Sequence, residues 1–455
     1  MQESVQLKAR LAFSELKDII NLSLPIIISQ VGYVLMGFSD NLIVGKLGAV
    51  ALAAAGVSNS VFFLIVVIGI GGLSILAPLV SKASEEEDTE KSGSYVKAGL
   101  GVASLYSILI VLLLGIAVYH FDFFGQPADV TFYSKQYLGI LIFSVPPMMM
   151  FIALKQFTDG LSNTKIGMYV SIAGLIVNII LCFVFVYGYA GIKAMGLNGA
   201  AIATTIARLF MLIAIYLYVF TSKKFINERK FFFKKWFEIR KETFELFRKG
   251  FPNGLQMLAE SCAFSLAAVM VGWITTAQLA AHQIVLSWAA LSYMVSTGIS
   301  IAVSIRVGAG LGAKDKSRIL YASYVGLILV ILYEAGTFAT FVIGKEFLTQ
   351  LFTIDPEVME VAPTLMILMG LFQIPDGVQA ILLGALRGLL DVNIPTYLVL
   401  FSYIAVCLPV AYLFGFTFGF QSAGIWFGLV IGLCLSSVLL AIRFRYYTMK
   451  IDFKS

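Results

Sequence analysis

The feature that most constrains this chain is the recurrence, from end to end, of apolar stretches of about 20 residues, each long enough to cross a bilayer as a helix. Only 13% of its 455 residues are charged, against about a quarter in soluble domains. Alternating ~10-residue segments, the mark of a membrane barrel, are missing. Helices are expected throughout, because a helix satisfies its own backbone hydrogen bonds in lipid. The expected fold is therefore an all-α polytopic membrane protein with about twelve transmembrane helices. The spans are read at 18–45, 50–80, 96–119, 133–155, 166–189, 197–221, 247–272, 280–305, 319–344, 360–386, 394–416 and 423–444.

The first apolar run is too long for a cleavable signal and lacks a small-residue cleavage site, so it reads as a retained span. Cys182, Cys262, Cys407 and Cys434 stand singly, without metal or disulfide spacing, and read as packing residues. The formal charge of +6 does not point to nucleic acid, because the basic residues cluster between spans. One set of connections carries Lys82, Lys91, Lys97, Lys155, Lys165, Arg306, Lys314, Lys316, Arg318, Arg387, Arg443, Arg445 and Lys450. The other holds Lys46, Lys193 and Lys345 among Asp122, Asp129, Asp355 and Glu357. The positive-inside rule makes the first set cytoplasmic, and an even span number then puts both termini inside.

The chain matches itself when slid by 227 residues. Pro25 falls on Pro252, Gly45 on Gly272, Leu52-Ala53-Ala54 on Leu279-Ala280-Ala281, and Gly71 on Gly298. A shift of 228 continues the match, with Pro147 on Pro375, Gly160 on Gly388, Tyr169 on Tyr397 and Gly196 on Gly424. Each half holds an even number of spans, so the halves are parallel repeats. Two six-helix bundles enclosing a central cleft are expected, 1–221 and 250–455. Residues 222–249 form a basic cytoplasmic linker, whose interleaved Phe and Trp suggest an amphipathic helix on the inner membrane face. Pro25 and Pro252 remove backbone hydrogen bonds within spans 1 and 7 and are read as hinges.

Asp40, Glu260 and Asp376 lie inside apolar spans, where a charge costs about 2.5–3.5 kcal/mol even on the lenient insertion scale. Such acids exchange protons or coordinate a small cation with neighbouring oxygens. The repeat does not duplicate them, since Asp40 falls on Ala267, Glu260 on Tyr33 and Asp376 on Met148. Gln256, one turn before Glu260, shares its helix face. Asn178, Thr204, Thr205 and Gln283 are supporting polar candidates, and His282 reads as a satisfied packing residue. Arg208 in span 6 has no partner that the sequence names. Met148, Met149 and Met150 read as core.

The joint pattern resembles the multidrug and toxic compound extrusion (MATE) family, NorM-type branch, over nearly the whole chain. It is carried by Pro25 with Gly37-Phe38-Ser39-Asp40, by Pro252-Asn253-Gly254-Leu255-Gln256 with Glu260, and by Gly272-Trp273. Gln278-Leu279-Ala280-Ala281-His282-Gln283, Arg306-Val307-Gly308 and Pro375-Asp376-Gly377 complete it. The resemblance implies an antiporter that exchanges inward Na+ or H+ for outward movement of small amphipathic, often cationic compounds. Asp40, Glu260 and Asp376 match the family's membrane-embedded acids, and Asn178 and the Gly199–Thr204 run match its polar positions. Two residues depart from it. Cys182 stands where Asn or Asp is common, and Phe372 stands where Tyr is common, which weakens Na+ coordination and leaves proton coupling open. Na+ at Glu260 and Asp376 is retained as the metal expectation.

The major-facilitator architecture shares the parallel halves, but its signature is missing from Ser84-Glu85-Glu86-Glu87-Asp88. The runner-up is a lipid-linked oligosaccharide flippase of the same superfamily, which needs a cationic cavity where this chain places acids. No enzyme motif is present, and Gly308-Ala309-Gly310-Leu311-Gly312 follows an apolar span and lacks the Lys-Ser/Thr ending of a nucleotide loop. The expectation is a monomer in the bacterial inner membrane, without cofactor and independent of ATP.

Overall fold

A computed structural model describes residues 2–189, 191–233, 238–451 and 453. Among the described residues, twelve helices are long and apolar enough to cross a membrane. Spans 1–6 are Arg10–Gly45, Ala49–Glu85, Thr89–Tyr119, Ala128–Gly160, Thr164–Tyr187 and Leu197–Thr221. Spans 7–12 are Arg240–Gly272, Thr276–Gly312, Lys316–Gln350, Pro356–Gly388, Asn393–Thr417 and Gln421–Lys450. They correspond one for one with the spans read from hydropathy. No strand occurs among the described residues.

The internal repeat is visible in the backbone. The turn after span 2 places Glu87 in the left-handed region, and Lys314, 227 positions on, repeats it after span 8. Both turns are followed by an aspartate cap. Asp88 accepts from the amide of Lys91, and Asp315 from that of Arg318. Ser162 and Leu390, 228 positions apart, form a second left-handed pair after spans 4 and 10. These caps satisfy amides that a helix start leaves unpaired.

The helices gather into two compact units, Met1–Ile27 with Leu255–Ser455, and Ile28–Gly254. In the first, the early part of span 1 is tied to span 8. Glu15 receives Arg306 Nε at 2.9 Å and Nη2 at 2.7 Å, and Asp18 stands 3.0 Å from the same Nη2. Ile27 packs against Gly298. In the second, the early part of span 7 is tied to span 2. The side-chain amide of Asn253 donates to the Gly71 carbonyl at 2.6 Å and to Ser74 Oγ at 2.7 Å, and Gly254 abuts the Ile68 carbonyl. Tyr95 donates to Glu245 at 2.9 Å.

Of the thirteen basic residues named for the cytoplasmic connections, all but Lys314 sit inside helices, which run on past the apolar segments. Arg306 belongs to span 8, Arg387 to the last turn of span 10, and Lys155 is buried in span 4, 2.8 Å from Asp159. At Lys155 and Arg306 an ion pair lets the helix continue past the charge, and Arg387 is held by the Leu383 carbonyl and Ser300 Oγ, where apolar length alone would end each span. The connection 222–249 also differs from expectation. Among its described residues there are two short 3-10 turns, Lys223–Phe225 and Glu228–Phe233, and the start of span 7, not one amphipathic helix. Its aromatics find protein partners instead: Phe225 packs tilted against Phe157 and edge-on against Tyr218, and Phe232 edge-on against Phe220. Residues 234–237 lie outside the described set.

Span 11 is wound partly as π-helix, over Phe401–Cys407 and Leu413–Thr417. Span 12 meets it along Gly424, Gly428 and Gly432, which lie against Phe414, Ala411 and Cys407. Small residues at this four-residue spacing let two backbones approach, the main source of helix association in lipid. Gly428→Ala would put its methyl group inside van der Waals distance of the Ala411 backbone. The variant is expected to lose about 1–3 kcal/mol through overpacking. A lowered thermal midpoint in detergent reads it, with Gly115→Ala, which meets nothing within 4 Å, as the neutral control.

Candidate functional site

Each unit holds its own acid-centred group. In the Ile28–Gly254 unit, Asp40 projects from span 1 and is 5% exposed. Its two oxygens accept from different helices. Thr204 Oγ1 of span 6 donates to Oδ2 at 2.9 Å, and the Cys182 thiol of span 5 donates to Oδ1 at 3.0 Å. The Asn178 amide donates in turn to Thr204 Oγ1 at 3.2 Å, and its own carbonyl oxygen has no partner among the described residues. Asn178 and Cys182 are one turn apart and so share a face of span 5. Cys182 is therefore part of the group, as a weak donor rather than a cation ligand. Arg208 donates to Ser144 Oγ at 2.6 Å, and its guanidinium lies 4.9 Å from the Phe62 ring centroid, a cation–π distance.

In the unit containing residues 255–455, Glu260 is the hub. Its Oε1 accepts from Gln256 Nε2 and Gln379 Nε2, both at 3.2 Å. Gln379 Nε2 also lies 3.3 Å from the Tyr403 hydroxyl, which the π-wound part of span 11 carries. Asp376 stands one turn before Ala380 on span 10, largely buried and within electrostatic reach of Glu260. No basic side chain is ion-paired with Asp40, Glu260 or Asp376 among the described residues. Gln256 thus joins Glu260 as its spacing indicates.

Gln283 does not join the group: it is exposed, and its neighbour His282 takes the inward face. His282 Nδ1 accepts from the Trp426 indole at 3.1 Å, and both rings are fully buried. Phe372 packs edge-on against Phe264 and Trp426, so the position that lacks a hydroxyl is filled by an apolar aromatic wall. Pro25 and Pro252 lie inside helices that run on past them.

Three polar contributors escaped the sequence reading. Gln379 and Tyr403 reach Glu260 only through packing of spans 7, 10 and 11, which leaves no periodic mark. Glu334, near the middle of span 9, did leave one, as a fourth acid in an apolar run. It is 1% exposed and accepts three hydroxyls.

The MatE family pattern matches twice, over residues 25–184 and 252–413, once in each repeat. The probable multidrug resistance protein NorM of Agrobacterium fabrum is 34% identical over 438 residues, 95% of this chain and 94% of the relative. The multidrug resistance protein NorM of Aliivibrio fischeri is also 34% identical over 438 residues, 94% of each chain. The crystal structure of the eukaryotic MATE transporter AtDTX14 superposes with a TM-score of 0.89 at 22% identity, covering 97% of this chain and 99% of that one. A MOP superfamily transporter from Pyrococcus furiosus, described as having a reversed pocket polarity that suggests a different function, superposes at 0.84 with 19% identity over 96% of each. The fold alone therefore does not select a cargo. With both repeats matched and a third of all positions shared with NorM-type relatives over nearly full length, this multi-pass membrane protein belongs to the MatE family.

Proposed function

We propose that the chain exports small amphipathic, often cationic compounds in exchange for inward movement of Na+ or H+, by alternating access. The observation that carries this is the set of intramembrane acids held by amide, hydroxyl and thiol donors without an ion-paired base. A carboxylate kept in an apolar bundle has to bind a proton or a small cation, and releasing it on the other side couples a gradient to conformational change. The names of the NorM relatives support a multidrug cargo. Residues 1–221 and 250–455 serve as the duplicated modules, joined by the basic linker, in a bacterial inner membrane with both termini cytoplasmic. The chain acts as a monomer, without cofactor or ATP.

The test is dye efflux from proteoliposomes under an imposed Na+ or H+ gradient, each applied separately. Efflux driven by one of the gradients and indifferent to ATP is expected. Efflux that proceeds equally without either gradient rejects the antiporter.

A further inference from the structure

Glu334 has its own ring of donors, with Asp376 of the neighbouring span within electrostatic reach. Three hydroxyls converge on its carboxylate: Ser296 Oγ at 2.5 Å from Oε1, Thr337 Oγ1 at 2.7 Å from Oε2, and Ser292 Oγ at 3.4 Å from Oε2. They come from spans 8 and 9, and no basic side chain is ion-paired with Glu334 among the described residues. Span 10 closes the third side. A Cβ on Gly377 would lie 3.0 Å from Glu334 Cγ, so glycine there lets the carboxylate approach the backbone.

A second observation points to a ligand. Gln373 is fully buried, and neither its amide nitrogen nor its amide oxygen has a partner among the described residues. Helical register places it beside Glu334. On span 10, Gly370 abuts Phe338 and Gly377 abuts Glu334 and Val330, which puts position 373 at the level of Glu334. Position 373 also lies four residues before Gly377 and seven before Ala380, on the same helix face. That face meets span 8, where Ser300 donates to the Ala380 carbonyl at 2.5 Å. Register thus turns position 373 toward spans 8 and 9 at the level of Ser292, Ser296 and Glu334. Leaving a buried amide unpaired is costly, and hydroxyl, carboxylate and amide oxygens together form a hard-oxygen set.

We propose that Glu334, Ser292, Ser296, Thr337 and Gln373 form a binding station for a small hard monovalent cation of the Na+ class, whose ligands do not include Glu260. A bound cation neutralises the sealed carboxylate and gives the Gln373 oxygen its partner. The hydroxyl hydrogens can then move to other acceptors, as Thr337 Oγ1 has the Glu334 carbonyl at 2.9 Å and Ser292 Oγ the Tyr333 hydroxyl at 3.3 Å, which leaves their lone pairs for the cation. The station requires no particular cargo, so its test is binding, not transport.

Equilibrium binding of radioactive sodium to the full-length protein in nanodiscs tests it. Glu260→Gln protein is expected to retain one saturable, pH-competed sodium site. Adding Glu334→Gln should abolish that site. Adding Ser296→Ala with Thr337→Val instead, which leaves every charge in place, should weaken it about tenfold, the loss expected from removing two oxygen ligands. Gel-filtration profiles and helical content confirm that each variant is folded, and the hydroxyl pair serves if Glu334→Gln is not. No saturable sodium in the Glu260→Gln protein overturns the station. So does sodium binding that neither Glu334→Gln nor the hydroxyl pair alters.

Discussion

Glu260→Gln should reduce gradient-driven dye efflux to the level of protein-free vesicles, while the variant inserts and purifies like the parent. The substitution keeps the size and planar shape of the side chain. An amide oxygen can still accept from Gln256 and Gln379, so the helix contacts at 3.2 Å survive. What disappears is the exchangeable charge on which the proposed exchange of a proton or cation depends. Asp376→Asn should behave alike, because Asp376 shares the electrostatic environment of Glu260. Gln283→Ala is the matched control. It alters an exposed residue of the same unit and should leave efflux close to that of the parent. Parental efflux in the Glu260→Gln variant would remove the coupling role.

Lys155→Met should be the most destabilising single change outside the acid groups. Lys155 Nζ is 2.8 Å from Asp159 Oδ2, and the two side chains are 7% and 0% exposed. The methylenes of Lys155 also pack on Gly167, at 3.1 Å from an added Cβ, so a methionine fills the same volume. The lost element is the cation. Asp159 would be left as a sealed, unpaired carboxylate, a loss of about 3–5 kcal/mol for one broken partner of a buried pair. A thermal midpoint in detergent lowered by many degrees is the expected reading. The double variant Lys155→Met with Asp159→Leu should recover most of that loss, since removing both charges leaves no stranded ion. A double variant as unstable as the single one would show that packing, not charge, sets the cost.

What could be read from the sequence follows a physical dividing line. Spans and repeat were legible because bilayer thickness fixes length and because glycine and proline hold their places through a duplication. Asp40, Asn178 and Thr204 were legible as polar residues in apolar runs, and they meet in one group. Gln379 and Tyr403 were not, since only the packing of three distant helices brings them to Glu260. Glu334 was as visible as Asp376, but its hydroxyl donors are serine and threonine, which membrane helices use everywhere. Lys155 and Arg306 were assigned to loops because hydropathy treats a charge as an end, whereas an acid one turn away or on a neighbouring helix lets the span continue. The aromatic residues of the linker were read as lipid-facing, but Phe225 and Phe232 are bound by other aromatics of the protein.

The left-handed turns carry a consequence of another kind. Glu87 and Lys314 occupy the same backbone state with opposite charge, and Ser162 and Leu390 do so with a polar and an apolar side chain. At each pair the copy preserved a main-chain angle and discarded the chemistry attached to it. The template handed down by duplication was thus a path through space, with the side chains as replaceable fittings. The unequal acids of the two halves then need no separate origin: they are later refittings of a single inherited route.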